Sequence, residues 1–246
     1  MTILGISAID LVLAVSVVAL GAAIQAAVGF GLALIAAPAL LLINRDLVPG
    51  PLIAAALYLV CWVAWKERQS IDYSHLKAAL MGRLIGSPPA AYLMGTVSAV
   101  TFDLLFGGLV LIAVILSLIH TNITASSRNV FLATIASGFM STISSIGGPP
   151  VALVYQNASG PALRANLSVL FIMGCVVSLS ALIIVDRFHL EDLLYSFLLF
   201  IGVFVGMSCS GPLTRIMDKR SARPWLLGLC TFSSLLVVGR AVYQLI

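Results

Sequence analysis

The sequence predicts an all-α polytopic integral membrane protein: two inverted-topology repeats with about eight main membrane segments, and a broken or re-entrant helix pair in each half. Composition, glycine spacing and loop charge carry that expectation. Of 246 residues, 61% are hydrophobic and 9% charged, with a mean hydropathy of +1.14, whereas an ordinary soluble domain is about 25% charged. A water-soluble fold has too little interior to hide so much apolar surface. No charge interrupts the chain between Asp10 and Arg45, or between Arg128 and Arg164, and both stretches exceed the ~20 apolar residues that cross a bilayer.

Charges and helix breakers divide the chain into apolar segments at roughly 8–43, 47–65, 78–96, 101–119, 129–156, 165–185, 193–214 and 224–244. The first has no Lys or Arg ahead of it and runs well past signal-peptide length, so it is expected to remain as a span rather than be cleaved. It is overlong and contains Gly29-Phe30-Gly31 with Pro38. The fifth is also overlong and contains Gly147-Gly148-Pro149-Pro150. Pro149 and Pro150 lack an N–H and clash with the preceding turn, so a helix should end near Ser144 or Ser145 and a new one should start at the prolines. The third and seventh segments carry Gly82-x-x-x-Gly86 and Gly202-x-x-x-Gly206, a pattern of close helix packing within the chain or in a homodimer. Cys61, Cys175, Cys209 and Cys230 lie inside apolar segments with no CxxC pair, so they read as small buried hydrophobes.

An offset near 117 pairs Gly21 with Gly138, Gly31 with Gly148 and Leu76 with Leu193; it drifts to 120 where Gly82 and Gly86 meet Gly202 and Gly206, and Gly108 meets Gly228. The common order argues for duplication into repeats at 1–120 and 121–246 within one membrane domain. The loop after the second segment carries Lys66, Arg68 and Lys77, whereas its counterpart carries Asp186, Glu191 and Asp192 against Arg187. The next pair reverses this: residues 97–100 have no Lys or Arg, while 215–223 carry Arg215, Lys219, Arg220 and Arg223. By the positive-inside bias, equivalent loops face opposite sides, both chain ends lie on the non-cytoplasmic side, and each half crosses an odd number of times. The net charge of +4 follows from these topology signals, so no nucleic-acid partner is expected.

Interrupted helices at matching points of two repeats point to a substrate site near the bilayer midplane. Non-helical backbone at that depth needs protein or a water-filled cavity to satisfy it. A helix N-terminus facing a cavity offers unpaired N–H groups and partial positive charge to an anion. The residues expected to bind substrate are therefore Gln25, Gly29, Phe30 and Gly31 at the first break, and Ser141, Ser144, Ser145, Gly147, Gly148 and Pro149 at the second, with Thr142 as a further hydroxyl. Arg83, an intramembrane cation, has two readings: a counter-charge for the anion, or a side chain snorkelling to the interface near Lys77. Arg45 and Arg164 flank the two broken segments at equivalent ends and have two readings: attraction of anions, or marking of the interface, the second being preferred. Asp103 reads as an interfacial cap and a weak proton-coupling candidate. Gln156, Asn157 and Asn166 form a polar group after the second break, while His75, His120 and His189 fall in loops or at segment ends.

No P-loop, nucleophile elbow, HExxH or EF-hand pattern is present, so ATP hydrolysis is excluded; no enzyme activity, cofactor or metal is expected.

The segments Gly21-Ala22-Ala23-Ile24-Gln25-Ala26-Ala27-Val28-Gly29-Phe30-Gly31 with Pro38, and Ser137-Gly138-Phe139-Met140 through Gly147-Gly148-Pro149-Pro150, resemble the TauE/SafE family of sulfite and organosulfur anion exporters over essentially the whole chain. The first cluster departs from the longer glycine run of many relatives. The resemblance implies a small inner-membrane transporter of sulfite, sulfoacetate, thiosulfate or a related anion. Together the two lines predict a multi-pass secondary transporter of small anions with alternating access. Its expected partners are the anion, the lipid bilayer, a coupling ion (proton or sodium) and, through the GxxxG pairs, a second copy of itself. A passive anion channel and a non-transporting membrane scaffold are the competing expectations.

Overall fold

The computed structural model describes residues 2–3, 6–118, 123–217 and 239. A short antiparallel ladder of β1 (Thr2–Ile3) and β2 (Ile6–Ser7) comes first, and the elements after it among the described residues are helical. Its helices are α1 (Ala8–Val28), α2 (Leu32–Ile43), α3 (Gly50–Lys66), α4 (Leu76–Thr96), α5 (Ala99–Leu118), α6 (Ser127–Ser144), α7 (Gly148–Tyr155), α8 (Gly160–Ile184) and α9 (Leu190–Met217). Short 3-10 turns at Arg45–Leu47 and Arg68–Ser70 follow α2 and α3. The eighth expected segment, the loop residues Lys219, Arg220 and Arg223, both chain ends, Gly228, His120 and Cys230 lie outside the described residues.

Among the described residues, five stretches are long and apolar enough to cross a membrane: Ala8–Val28, Arg45–Lys66, Ala99–Leu118, Gly160–Ile184 and Leu190–Gly211. The outer surface agrees, with Ile9, Val12, Trp65, Tyr92, Ile184, Phe197 and Phe204 all exposed, as a hydrocarbon solvent requires and water does not tolerate. This is a multi-pass membrane protein. α4 and α6 are not among the five, because Arg83, Pro88 and Pro89 dilute the apolar run of α4, and serines and threonines dilute that of α6. Those are the polar groups turned inward: Arg83, Ser87, Thr134, Ser137, Thr142 and Ser144 are all buried.

Both overlong segments break where the sequence places the break. α1 ends at Val28, and Gly29 and Gly31 take φ of +103° and +133°, which side chains disfavour. The chain then doubles back, so that a methyl added at Gly21 would lie 2.8 Å from the Leu32 carbonyl oxygen. In the second segment, Ser145 takes the left-handed conformation after α6, and a methyl at Gly147 would lie 2.7 Å from Ser137 Oγ. At 1.5 Å per residue, the 12 residues of α2 and the 8 of α7 reach only about 18 and 12 Å, short of the ~30 Å hydrocarbon core.

Helix pairing follows the small residues. Gly82 and Gly86 of α4 press against α6, where added methyls would come within 2.5 Å of the Phe131 carbonyl oxygen and 2.2 Å of the Ile135 carbonyl oxygen. Gly202 and Gly206 of α9 press against α1 in the same way, at 2.6 Å from the Val15 oxygen and 2.2 Å from the Ala19 oxygen. Both GxxxG pairs are thus used inside the chain, where only a hydrogen lets the backbones approach. α3 packs on α8, α9 on α3 and α4 on α8. The largest apolar cluster joins α1, α2, α3, α5 and α9 through Val18, Leu40, Leu52, Phe106 and Val203.

Candidate functional site

The two breaks meet. Phe30 of the first lies on Gly148 of the second, where a methyl would sit 3.1 Å from Phe30 Cβ and 3.2 Å from its Cδ2. Around this junction is a cavity of about 60 Å³ lined from both halves by Gln25, Phe30, Gly31, Arg83, Ser141, Ser145, Gly147, Gly148 and Pro149. One water needs only about 10–15 Å³ on this measure, so there is room for a small polyatomic ion. α2 and α7 both begin here, with Leu32, Ala33 and Leu34 on one side and Gly147 and Gly148 on the other. Their partial positive ends therefore converge on one space.

Arg83 supplies the full charge. Its side chain is 1% exposed, Nη1 donates to Ser141 Oγ at 3.0 Å, and Nε is buried with no hydrogen-bond partner among the described residues. Among those residues, no carboxylate lies within ion-pair distance of it. The guanidinium is turned into the protein, away from the interface that snorkelling would seek. A buried cation without a counter-charge is costly unless an anion joins it.

Hydroxyls continue from Arg83 along α6 and α8. Thr142 Oγ1 and Ser178 Oγ are 2.8 Å apart, and Ser178 Oγ is 3.5 Å from Ser87 Oγ. Much of the remaining lining is apolar: Leu52, Ile53, Ala56 and Val60 of α3, with Phe171 and Cys175 of α8. These α3 and α8 residues were not legible as site residues, because each looks like ordinary span. Gly174 and Ser178, four apart on one face of α8, were the available signal, as a small-xxx-small pattern.

Four of the expected residues have other work. Gln25 lines the cavity, but its Oε1 accepts from the Leu32 N–H at 2.9 Å, so it caps α2 and leaves only its amide nitrogen for a ligand. Ser144 does not line the cavity; its hydroxyl donates to the Met140 carbonyl at 2.8 Å and accepts from the Ile146 N–H at 3.3 Å, closing the end of α6. Gly29 faces α8, where a methyl would lie 3.3 Å from Arg164 Cα. Ser145 reaches both the cavity and the Pro49 carbonyl, to which its hydroxyl donates at 3.1 Å. Ser137 donates to the Gly147 carbonyl, tying α6 to the turn before α7.

The flanking charges are paired. Arg164 donates to Glu67 Oε1 through Nη2 at 2.9 Å and through Nε at 3.1 Å. Arg45 pairs with Asp103, which is buried at 2% exposure. Asp103 is therefore no cap; Ser98 takes that place, accepting from the Thr101 N–H at 3.2 Å. Asn166 is buried and accepts from the Asp72 N–H at 2.8 Å. Cys61 and Cys209 are exposed on the apolar surface rather than buried, and Cys175 is half-buried at the cavity.

The family model described as sulfite exporter TauE/SafE matches residues 13–237. The chain belongs to this family. As a TauE/SafE family member it is a membrane transport protein, and the match spans both breaks, Arg83 and the α8 wall. The chain matches neither a curated protein nor a solved structure.

Proposed function

We propose that this TauE/SafE protein is a secondary transporter of a small oxyanion, sulfite or an organosulfonate such as sulfoacetate. It would bind the anion in the cavity where the two breaks meet and release it by alternating access. The observation that carries this is Arg83, buried, aimed at the cavity and without a carboxylate beside it among the described residues. The oxyanion would take the guanidinium, the Ser141 and Ser145 hydroxyls, the Gln25 amide nitrogen and the backbone N–H groups of Ala33 and Gly148 at the starts of α2 and α7. Charge-assisted hydrogen bonds of this kind are the strong ones, and in a dry cavity they are weakly screened.

The access change would come from residues 1–120 moving against residues 121–246 as inverted repeats. Helix pairing supports that reading. Under the offset that aligns the glycines, α1 corresponds to α6 and α4 to α9, so that the α1–α9 pair maps onto α6–α4 and the α3–α8 pair maps onto itself. A pseudo-twofold axis through the α3–α8 contact gives that pattern. Residence in an inner, plasma membrane with both ends outside belongs to the same proposal, and a reporter fused at the C-terminus tests it: a cytoplasmic signal overturns the topology.

The decisive assay is reconstitution. Proteoliposomes should show saturable sulfite or sulfoacetate uptake that is accelerated by the same anion on the opposite side. Single-channel current without saturation would instead favour a pore, and no anion movement or binding would overturn the transport reading altogether.

A further inference from the structure

The offset that brings Gly82 onto Gly202 also brings Arg83 onto Val203. Val203 is fully buried in the apolar cluster between α9 and α1. Under the offset of 117 that pairs Gly31 with Gly148, Ser141 corresponds to Ile24, and Gly174 of α8 to Leu57 of α3. The two halves therefore offer similar backbones but different chemistry. At these positions only the first half brings a cation, Arg83, and only the second brings a glycine, Gly174, for that cation to rest on. A methyl at Gly174 would lie 2.6 Å from Arg83 Cζ, 2.8 Å from Nη1 and 2.9 Å from Nη2. Nearly equal distances to three atoms of the planar group mean that the guanidinium lies face-on against the α8 backbone.

We infer that the anion's full counter-charge comes from the first half, off the axis between the halves, and that Gly174 of the second half is the positioning residue that sets Arg83 there. With its face closed by Gly174, the guanidinium can offer an anion only its N–H edge, in the same plane as its bond to Ser141. This fixes the direction from which an oxyanion is met, and a carboxylate- or sulfonate-like pair of oxygens fits such an edge two at a time. A side chain at position 174 lifts the group off that seat. Because the atoms displaced are the end of a flexible side chain, the fold tolerates the change while the aim of the cation does not. The inference rests on the proposed anion site.

The test is a double-mutant cycle on the full-length protein in detergent, with sulfite as the probe and calorimetric Kd as the readout. Gly174→Ala should weaken sulfite binding about tenfold, as expected when one charge-assisted hydrogen bond is misaligned. In an Arg83→Gln background the same substitution should change Kd by less than about twofold, because the seat then has nothing to position. Val203→Ala, at the equivalent place in the other half, should leave Kd within about twofold of wild type. Losses that simply add across the cycle, or an unchanged Kd in Gly174→Ala, overturn the seat while leaving the anion site standing. If wild type binds no sulfite, the anion reading fails instead. The seat is then judged by the thermal midpoints of the ligand-free proteins: Gly174→Ala should lower the midpoint with Arg83 present and leave it unmoved with Gln at 83. Equal shifts in both backgrounds overturn it.

Discussion

Placing a leucine at position 148 puts the junction of the two breaks to its hardest test. Even the first carbon of a side chain there would approach Phe30 Cβ to 3.1 Å and Cδ2 to 3.2 Å, inside the ~3.5–4.0 Å optimum for carbon contacts. Alanine therefore asks Phe30 to retreat by a few tenths of an ångström. Leucine adds an isobutyl group aimed at Phe30, beside a cavity of about 60 Å³, and overpacking of this sort costs about 1–3 kcal/mol. Such a loss is a fraction of the stability of a membrane bundle, so insertion and monodispersity should survive. Anion passage should not, since the space between the two half-helices is the space the substrate needs. The assay is labelled sulfite uptake into proteoliposomes, normalised to protein incorporated, alongside Gly148→Ala in wild-type and Phe30→Ala backgrounds. Gly148→Ala should impair uptake with Phe30 present and add nothing once Phe30→Ala has removed the atoms it meets. Wild-type uptake by Gly148→Leu would refute the reasoning, as would additivity between Gly148→Ala and Phe30→Ala.

Arg83→Gln should weaken sulfite binding by about ten- to a hundredfold, the range for losing a buried charge partner. Arg83→Lys should recover some of that loss, measured by calorimetry, and no change in Kd would mean that the cation does not face the anion. Gly86→Ala and Gly206→Ala should each lower the thermal midpoint in detergent, since their methyls would lie 2.2 Å from the Ile135 and Ala19 carbonyl oxygens and must push the packed helices apart, at about 1–3 kcal/mol. Gly108→Ala and Gly211→Ala, whose methyls would meet nothing within 4 Å among the described residues, should leave it unchanged or slightly raised, because alanine is the better helix former by up to about 1 kcal/mol. Asp103→Asn should destabilise by roughly 1–3 kcal/mol through loss of the Arg45 pair, and Arg45→Gln in the same chain should add little, as a denaturation series would report.

Much of the architecture is readable from the chain because a bilayer is a severe solvent. Uncharged runs had to be spans. Gly29 and Gly31 had to break one helix, and Pro149 and Pro150 had to begin another. The paired GxxxG motifs had to mark close packing, though only the fold chose between a partner within the chain and a second copy. The candidate site was legible at its two breaks for the same reason: glycine and proline act locally, through their own backbone. It was less legible wherever a role depends on a distant partner. Gln25 carries an amide that suits an anion, yet its oxygen is taken by Leu32, seven residues on. Ser144 has the same hydroxyl as Ser141, but points back along its own helix to Met140. Asp103 could not be recognised as half of an ion pair, because Arg45 lies 58 residues away.

The sequence by itself determined that this is a helical membrane protein of the TauE/SafE kind, where its helices break, and which residue is its one cation deep in a span of the first half. Local backbone chemistry and transfer from water to lipid act on each segment separately, so one chain read in order suffices. Only the tertiary structure decided that Phe30 and Gly148 touch, that Arg83 turns inward onto Gly174, and that α3 and α8 wall the cavity. Those facts depend on how helices far apart in sequence pack side by side. Such packing is set by the shapes of facing surfaces, which no single segment carries alone.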